Sequence, residues 1–204
     1  MEKIAFDREV FENGMTYSTY LDITQKMEAE GKTSGENQSE FMVHYTKMNV
    51  KRMSRWNKTW NPSPEIEAII QKSTDKINFL IITEAWCGDA AHNIPMLAKL
   101  IESNPNWNLK FVWRDEDTSI IDAYLTDGGR SIPKLVAFNE DNDVLFTWGP
   151  RPEPLQDIYL DLKEKETPFP DINTALQTWY NQDKGQHLEK EFIALIHKTE
   201  KSPA

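Results

Sequence analysis

Ile77-Asn78-Phe79-Leu80-Ile81-Ile82-Thr83 is a short, nearly unbroken apolar run, the pattern of a strand covered on both faces. Downstream the period changes. From about Cys87 to Ser103, Ile94, Leu97, Ala98 and Ile101 recur at helical spacing, which predicts a helix with one core-facing stripe. Residues 109–113 then predict a second strand. A second helix follows over 119–125, ended by Gly128-Gly129. Strands over 135–138 and 144–148 pair across the stretch Asn139 to Asp143, which has hairpin chemistry. The order strand, helix, strand makes the first two strands a parallel pair, because such crossovers are right-handed and put the helix on the sheet.

Helices flank this core on both sides. Residues 16–31 and 38–60 predict two of them, separated by the polar stretch 31–35, and the second stops at Asn61-Pro62-Ser63-Pro64. Ser63 suits an N-cap, with Pro64 at the first helical position and Glu65 in the first turn. Helices over 154–165 and from Asp171 to about Lys198 complete the chain. The expected organisation is an N-terminal helical extension (1–62), a core (63–166) and a C-terminal helical extension (167–204). No internal repeat or low-complexity tract interrupts it.

Composition narrows the function classes. Apolar residues make up 39% of the 204 residues, enough to bury a core and too many for a disordered chain. The formal charge of −10 argues against nucleic acid as a partner, since phosphate contacts need clustered Lys and Arg. The N-terminus has no apolar h-region, and no segment holds eighteen uninterrupted apolar residues, so a location in the cytoplasm is expected and a membrane role is not. The chain has one cysteine, which excludes an internal disulfide and a zinc site built on several thiolates.

That cysteine stands where chemistry collects in a parallel sheet, at the end of a strand and the start of the next helix. Glu84-Ala85-Trp86-Cys87-Gly88-Asp89-Ala90 follows the first strand directly and resembles the W-C-G-P-C signature of thioredoxins. Pro95 matches the proline inside the corresponding helix of that family. Gly129-Arg130-Ser131-Ile132-Pro133-Lys134-Leu135-Val136-Ala137-Phe138 resembles the loop in which an Ile-Pro or Thr-Pro bond is cis and faces the cysteine, and Gly149 also fits. The resemblance covers Ile77 to Trp148. It implies an α/β, thioredoxin-like fold: a central mixed β-sheet flanked by helices, here with extra N- and C-terminal helices. The W-C-G-D variant is similar to a bacterial group of thioredoxin-like proteins with no agreed substrate.

Three departures bear on activity. Asp89 replaces the family's proline, and Ala90 replaces its second cysteine. Without a resolving thiol, attack on a disulfide stops at the mixed disulfide until an outside thiol releases it. Ile81 stands where the family carries a buried carboxylate that helps move protons. The resemblance therefore implies one-thiol redox chemistry. Cys87 is the nucleophile of that reading; Trp86, Gly88, Asp89, Ala90, Ile132 and Pro133 shape the site, and Glu84, His92, Arg114 and Arg130 are candidates for a surrounding layer.

A helix N-terminus favours a thiolate, while Asp89 adds a like charge beside it. A dipole effect of about 0.3–1 kcal/mol is small enough for that carboxylate to cancel. His92, three residues past Asp89, could pair with it. The expectation is an accessible, moderately reactive thiol with no cofactor and no metal. Its partner would be a low-molecular-weight thiol or a protein thiol, and any enzyme activity would be that of a monothiol thiol-disulfide oxidoreductase. Two rival readings stand beside it: a catalytically silent binding module using the Trp86–Pro133 surface, and a peroxide sensor passing through sulfenic acid. Arg114 and Arg130 read equally as a surface for an anionic partner and as solvated charges. Between Phe41 and Trp60, Lys47, Lys51, Arg52, Arg55 and Lys58 occur without an acidic residue. Met53, Trp56 and Trp60 fall on one face, and packing of that face on the core is favoured over docking on a membrane surface or an acidic partner.

Overall fold

The computed structural model describes residues 2–200. Its contacts divide the chain into two compact units, Met1–Pro150 and Arg151–Ala204.

The first unit is built on a four-stranded sheet in the order β2-β1-β3-β4. Strand β1 (Ile77–Thr83) is buried at all seven residues, as its apolar run requires. It pairs in parallel with β2 (Trp107–Trp113), Ile81 opposite Phe111. On its other side it pairs antiparallel with β3 (Lys134–Phe138), which forms a hairpin with β4 (Val144–Trp148). The hairpin turn is organised by Asn139, whose Oδ1 accepts from the amides of Asp141 and Asp143.

Helix α1 (Arg8–Glu12) and helix α2 (Tyr17–Ala29) precede the sheet. The segment between them joins the outer edge of β2 through a bridge from Met15 to Phe111. Tyr20 of α2 stacks on Phe111, ring centroids 5.1 Å apart. The sequence patterns predict neither α1 nor this edge contact, because both depend on residues far apart in the chain. Helix α3 (Glu40–Thr59) begins at Ser39, whose hydroxyl accepts from the Met42 amide. Its Met53 and Trp56, with the following Trp60, are buried, so the aromatic stripe of the basic helix is a packing face. Helix α4 (Pro64–Lys72) starts from the Ser63 cap with Pro64 in its first turn.

Helix α5 (Gly88–Ile101) crosses from β1 to β2 and carries Pro95 in its interior. It packs on α3, and the pair is fastened by polar contacts. Trp56 Nε1 donates to His92 Nδ1 at 3.0 Å, and the Lys99 ammonium donates to the Trp60 carbonyl. Helix α6 (Thr118–Asp122) ends earlier than the predicted 119–125. The chain leaves it for a tight turn in which Asp127 and Gly128 both have positive φ, a conformation that Asp and Gly tolerate well.

The second unit contains α7 (Glu153–Glu164), α8 (Phe169–Asp183) and α9 (Gln186–Glu200). Leu155 of α7 packs with Ile172, Leu176 and Tyr180 of α8. The single helix expected from Asp171 to about Lys198 is broken. Lys184 and Gly185 take left-handed φ values of 55° and 85°, and the Asp183 carboxylate accepts from the Gly185 and His187 amides. One aspartate thus closes the link between the two helices. No helix among the described residues is long and apolar enough to cross a membrane.

Candidate functional site

Strand β1 delivers the chain to a tight turn over Glu84-Ala85-Trp86-Cys87, in which the Cys87 amide donates to the Glu84 carbonyl at 3.1 Å. Cys87 is the N-cap of α5. Its backbone is extended, and its sulfur takes the cap position, accepting from the Ala90 amide at 3.4 Å. The same sulfur donates to the Ile132 carbonyl at 3.2 Å. Cys87 and the Ile132-Pro133 loop, 45 residues apart at the hydrogen bond, are therefore in direct contact. The Ile132-Pro133 peptide is cis.

Gly149 completes this corner. Its φ is +109°, and a Cβ there would lie 2.2 Å from the Pro133 carbonyl oxygen. Only glycine lets the end of β4 approach the proline loop so closely.

The expectation of an accessible thiol is corrected. Cys87 is 7% exposed, because the Ile132 carbonyl and the first turn of α5 both close on its sulfur. Trp86, Gly88 and Asp89 around it are half-buried, so these three residues form the approach. Ala90 and Ile81 are fully buried, leaving an apolar layer at the two positions where the resemblance to thioredoxins implies a second thiol and a carboxylate. The Cys87 amide is spent on the Glu84 carbonyl.

His92 is buried, 2% exposed, and turned into the α3–α5 interface, where its Nδ1 accepts from Trp56. Among the described residues, no three His, Cys, Asp or Glu side chains converge as a metal site.

Glu84 is fully buried, and its carboxylate is fixed at both oxygens. Oε1 accepts from the Asp115 amide at 2.8 Å, and Oε2 accepts from the Ser34 hydroxyl. Ser34 Oγ in turn accepts from the Ala85 amide at 2.8 Å. Burial raises the Glu84 carboxyl above its ordinary value, and these two hydrogen bonds oppose the rise. The carboxylate is thus a strut tying three loops together. Arg114 lies over the Trp86 ring at 5.0 Å and pairs with Asp115 through its Nε and Nη2. Its Nη1 also donates to the Arg130 carbonyl, while the Arg130 guanidinium pairs with Asp122. Both cations near the loop are thereby matched with carboxylates.

Nothing in the local sequence marks four further residues of this neighbourhood. Ser34 comes from the polar stretch between the first two predicted helices. Tyr20 of α2 is buried, and burial together with the nearby Cys87 pushes its hydroxyl well above the ordinary value. Asn49 of α3 is fully buried and donates to the Ala85 carbonyl at 2.9 Å. Its Oδ1 accepts from Arg52 Nη1, and that nitrogen lies 3.6 Å from where a Cβ on Gly88 would sit. The only advance signal for Arg52 was its place in a run of basic residues.

A family model described as thioredoxin matches residues 35–167. The chain belongs to the thioredoxin family. The match covers the sheet, α5 and the proline loop, and also Asn49 and Arg52 on the preceding helix. A crystal structure of a protein of unknown function from Pseudomonas aeruginosa superposes with a TM-score of 0.63 at 17% identity, over 97% of this chain and 98% of that one. An HIV epitope-scaffold crystal structure gives 0.61 at 17% identity, over 93% and 96%. At that identity the likeness concerns the fold alone. No curated protein matches the chain. This thioredoxin-family member has one cysteine, Cys87, in contact with the cis Ile132-Pro133 loop.

Proposed function

We propose that this chain is a one-thiol redox protein whose Cys87 exchanges with a disulfide to form a mixed disulfide, released later by an outside thiol. The observation that carries the reading is the placement of the Cys87 sulfur between the Ala90 amide and the Ile132 carbonyl. A group entering there meets an amide donor and a main-chain acceptor at once. The first turn of α5 favours a developing thiolate, and exchange requires the thiolate. Ala90 provides no thiol to expel the partner, so the adduct persists until a second thiol attacks it. A low-molecular-weight thiol or a protein thiol in a reducing cytoplasm would serve as partner. The one-cysteine W-C-G-D-A site is consistent with the bacterial thioredoxin-like group that it resembles.

One observation favours a second reading, a silent binding module. At 7% exposure Cys87 presents little sulfur to a large partner. Alkylation of the folded chain separates the two readings. Iodoacetamide labels Cys87 without denaturant if the thiol works in exchange. Labelling only after unfolding supports the binding module.

A further inference from the structure

We infer that Arg52 selects the partner of Cys87, and that the site takes a disulfide or thiol carrying a carboxylate close to its sulfur. The inference rests on the reading of Cys87 as the exchanging nucleophile.

Arg52 differs from the other cations near the loop in how it is held. Arg114 and Arg130 each grip an aspartate with two nitrogens. Arg52 makes one hydrogen bond, to the neutral amide oxygen of Asn49, and forms no ion pair among the described residues. A guanidinium has five N–H donors and keeps its charge in proteins. It is the side chain best shaped to take a carboxylate with two parallel bonds.

Its position is fixed from below. Asn49 is fully buried and anchored on the Ala85 carbonyl, two residues before Cys87. Two turns further along α3, Trp56 is locked onto His92 of α5. Between these anchors the guanidinium lies over the main chain of Gly88, the residue that follows the cysteine. Gly88 has no side chain to stand between that cation and the main chain beside the thiol. The charged groups around Arg52 are Asp89 on the attractive side and Arg55 on the repulsive side. Burial pulls the guanidinium below its ordinary value, as expected of a cation partly removed from solvent. In a chain of net charge −10, this places a local positive charge beside the thiol.

The step balances within the two reactants. The Cys87 thiol loses its proton to solvent, and the thiolate attacks one sulfur of the incoming disulfide. A new bond forms from Cys87 to that sulfur as the old disulfide bond breaks. The electron pair leaves on the second sulfur as a thiolate, so Cys87 is oxidised and the leaving half reduced. Arg52 holds the carboxylate of the half that stays.

Three small disulfides test this: dithiodiglycolate, which is anionic; bis(hydroxyethyl) disulfide, which is neutral; and cystamine, which is cationic. Adduct formation at Cys87 is followed by intact mass in the folded chain, each rate being divided by that of the urea-unfolded chain. The anionic probe should exceed the cationic one by about tenfold at low salt, and the gap should shrink at high salt. Arg52→Gln should abolish the preference, Arg52→Lys should keep its sign, and Lys51→Gln should leave it unchanged. Equal normalised rates in the native chain, or a preference that survives Arg52→Gln, would overturn the role of Arg52 while leaving Cys87 as nucleophile. If none of the three probes reacts in the folded chain, the Cys87 reading falls and this inference falls with it. Should Arg52→Gln fail to fold, Arg52→Lys and the salt dependence of the native chain decide the matter.

Discussion

A methyl group at Gly149 would lie 2.2 Å from the carbonyl oxygen of Pro133. The end of β4 and the proline loop are thus packed main chain against main chain, and the loop in turn supplies the Ile132 carbonyl to Cys87. Because the obstructing atom is backbone, no side-chain rotation can relieve the clash. Gly149→Ala also imposes a φ of +109° on a residue with a Cβ. The variant should be destabilised by at least about 2 kcal/mol, read from the urea midpoint. A loss below about 0.5 kcal/mol would show that the loop moves freely.

Glu84 should make stability depend on pH in an unusual direction. Its carboxyl is raised in the folded chain by burial. Above the ordinary carboxylate value the native state therefore binds more protons than the unfolded state. The stabilising contribution of Glu84 is complete below that ordinary value and declines as pH rises toward the raised one. The stability of the native chain relative to Glu84→Gln should fall over that window, measured by denaturant melts at several pH values. A difference that rises with pH would mean that the Ser34 and Asp115 hydrogen bonds outweigh burial.

Trp56 and His92 tie α3 to α5. Trp56→Phe keeps most of the ring and removes the donor, leaving the buried His92 Nδ1 without its 3.0 Å contact. The cost should be about 1–3 kcal/mol. A double-mutant cycle with His92→Phe should show coupling between the two positions. A double-mutant cycle without coupling would contradict the contact.

Much of this fold is legible in the residues alone. The apolar run of β1 and the turn-rich stretch after Phe138 signal their elements because both depend on near neighbours. The break between α8 and α9 was also legible, in Asp183-Lys184-Gly185, but helical periodicity on both sides masked it. The cysteine and the proline loop could be placed together only through resemblance to thioredoxins, since no local pattern brings Cys87 to Ile132. The supporting layer lay out of reach. Ser34 meets Glu84 across 50 positions, and Asn49 meets Ala85 across 36. Neither member of these pairs signals its partner. The burial of Cys87 and His92 follows from that same packing, so the accessible thiol expected from the helix start is not found.

Ala90→Cys asks whether the missing thiol is what separates this site from dithiol chemistry. The Ala90 amide already touches the Cys87 sulfur, so a thiol at this position should close a disulfide under mild oxidant. A free-thiol count should fall to none on oxidation. Insulin reduction should stay slow, because the fully buried Ile81 provides no proton acceptor. Two free thiols after oxidation would mean that the two side chains diverge.

The central claim is that Cys87 exchanges with disulfides in the folded chain. The most direct measurement is to incubate the native protein with bis(hydroxyethyl) disulfide and record the intact mass over time, with Cys87→Ser as control. One adduct should form without denaturant, disappear on adding excess thiol, and be absent from Cys87→Ser. An adduct that forms only in urea would contradict the account and leave the chain a thioredoxin fold with a buried, inert cysteine.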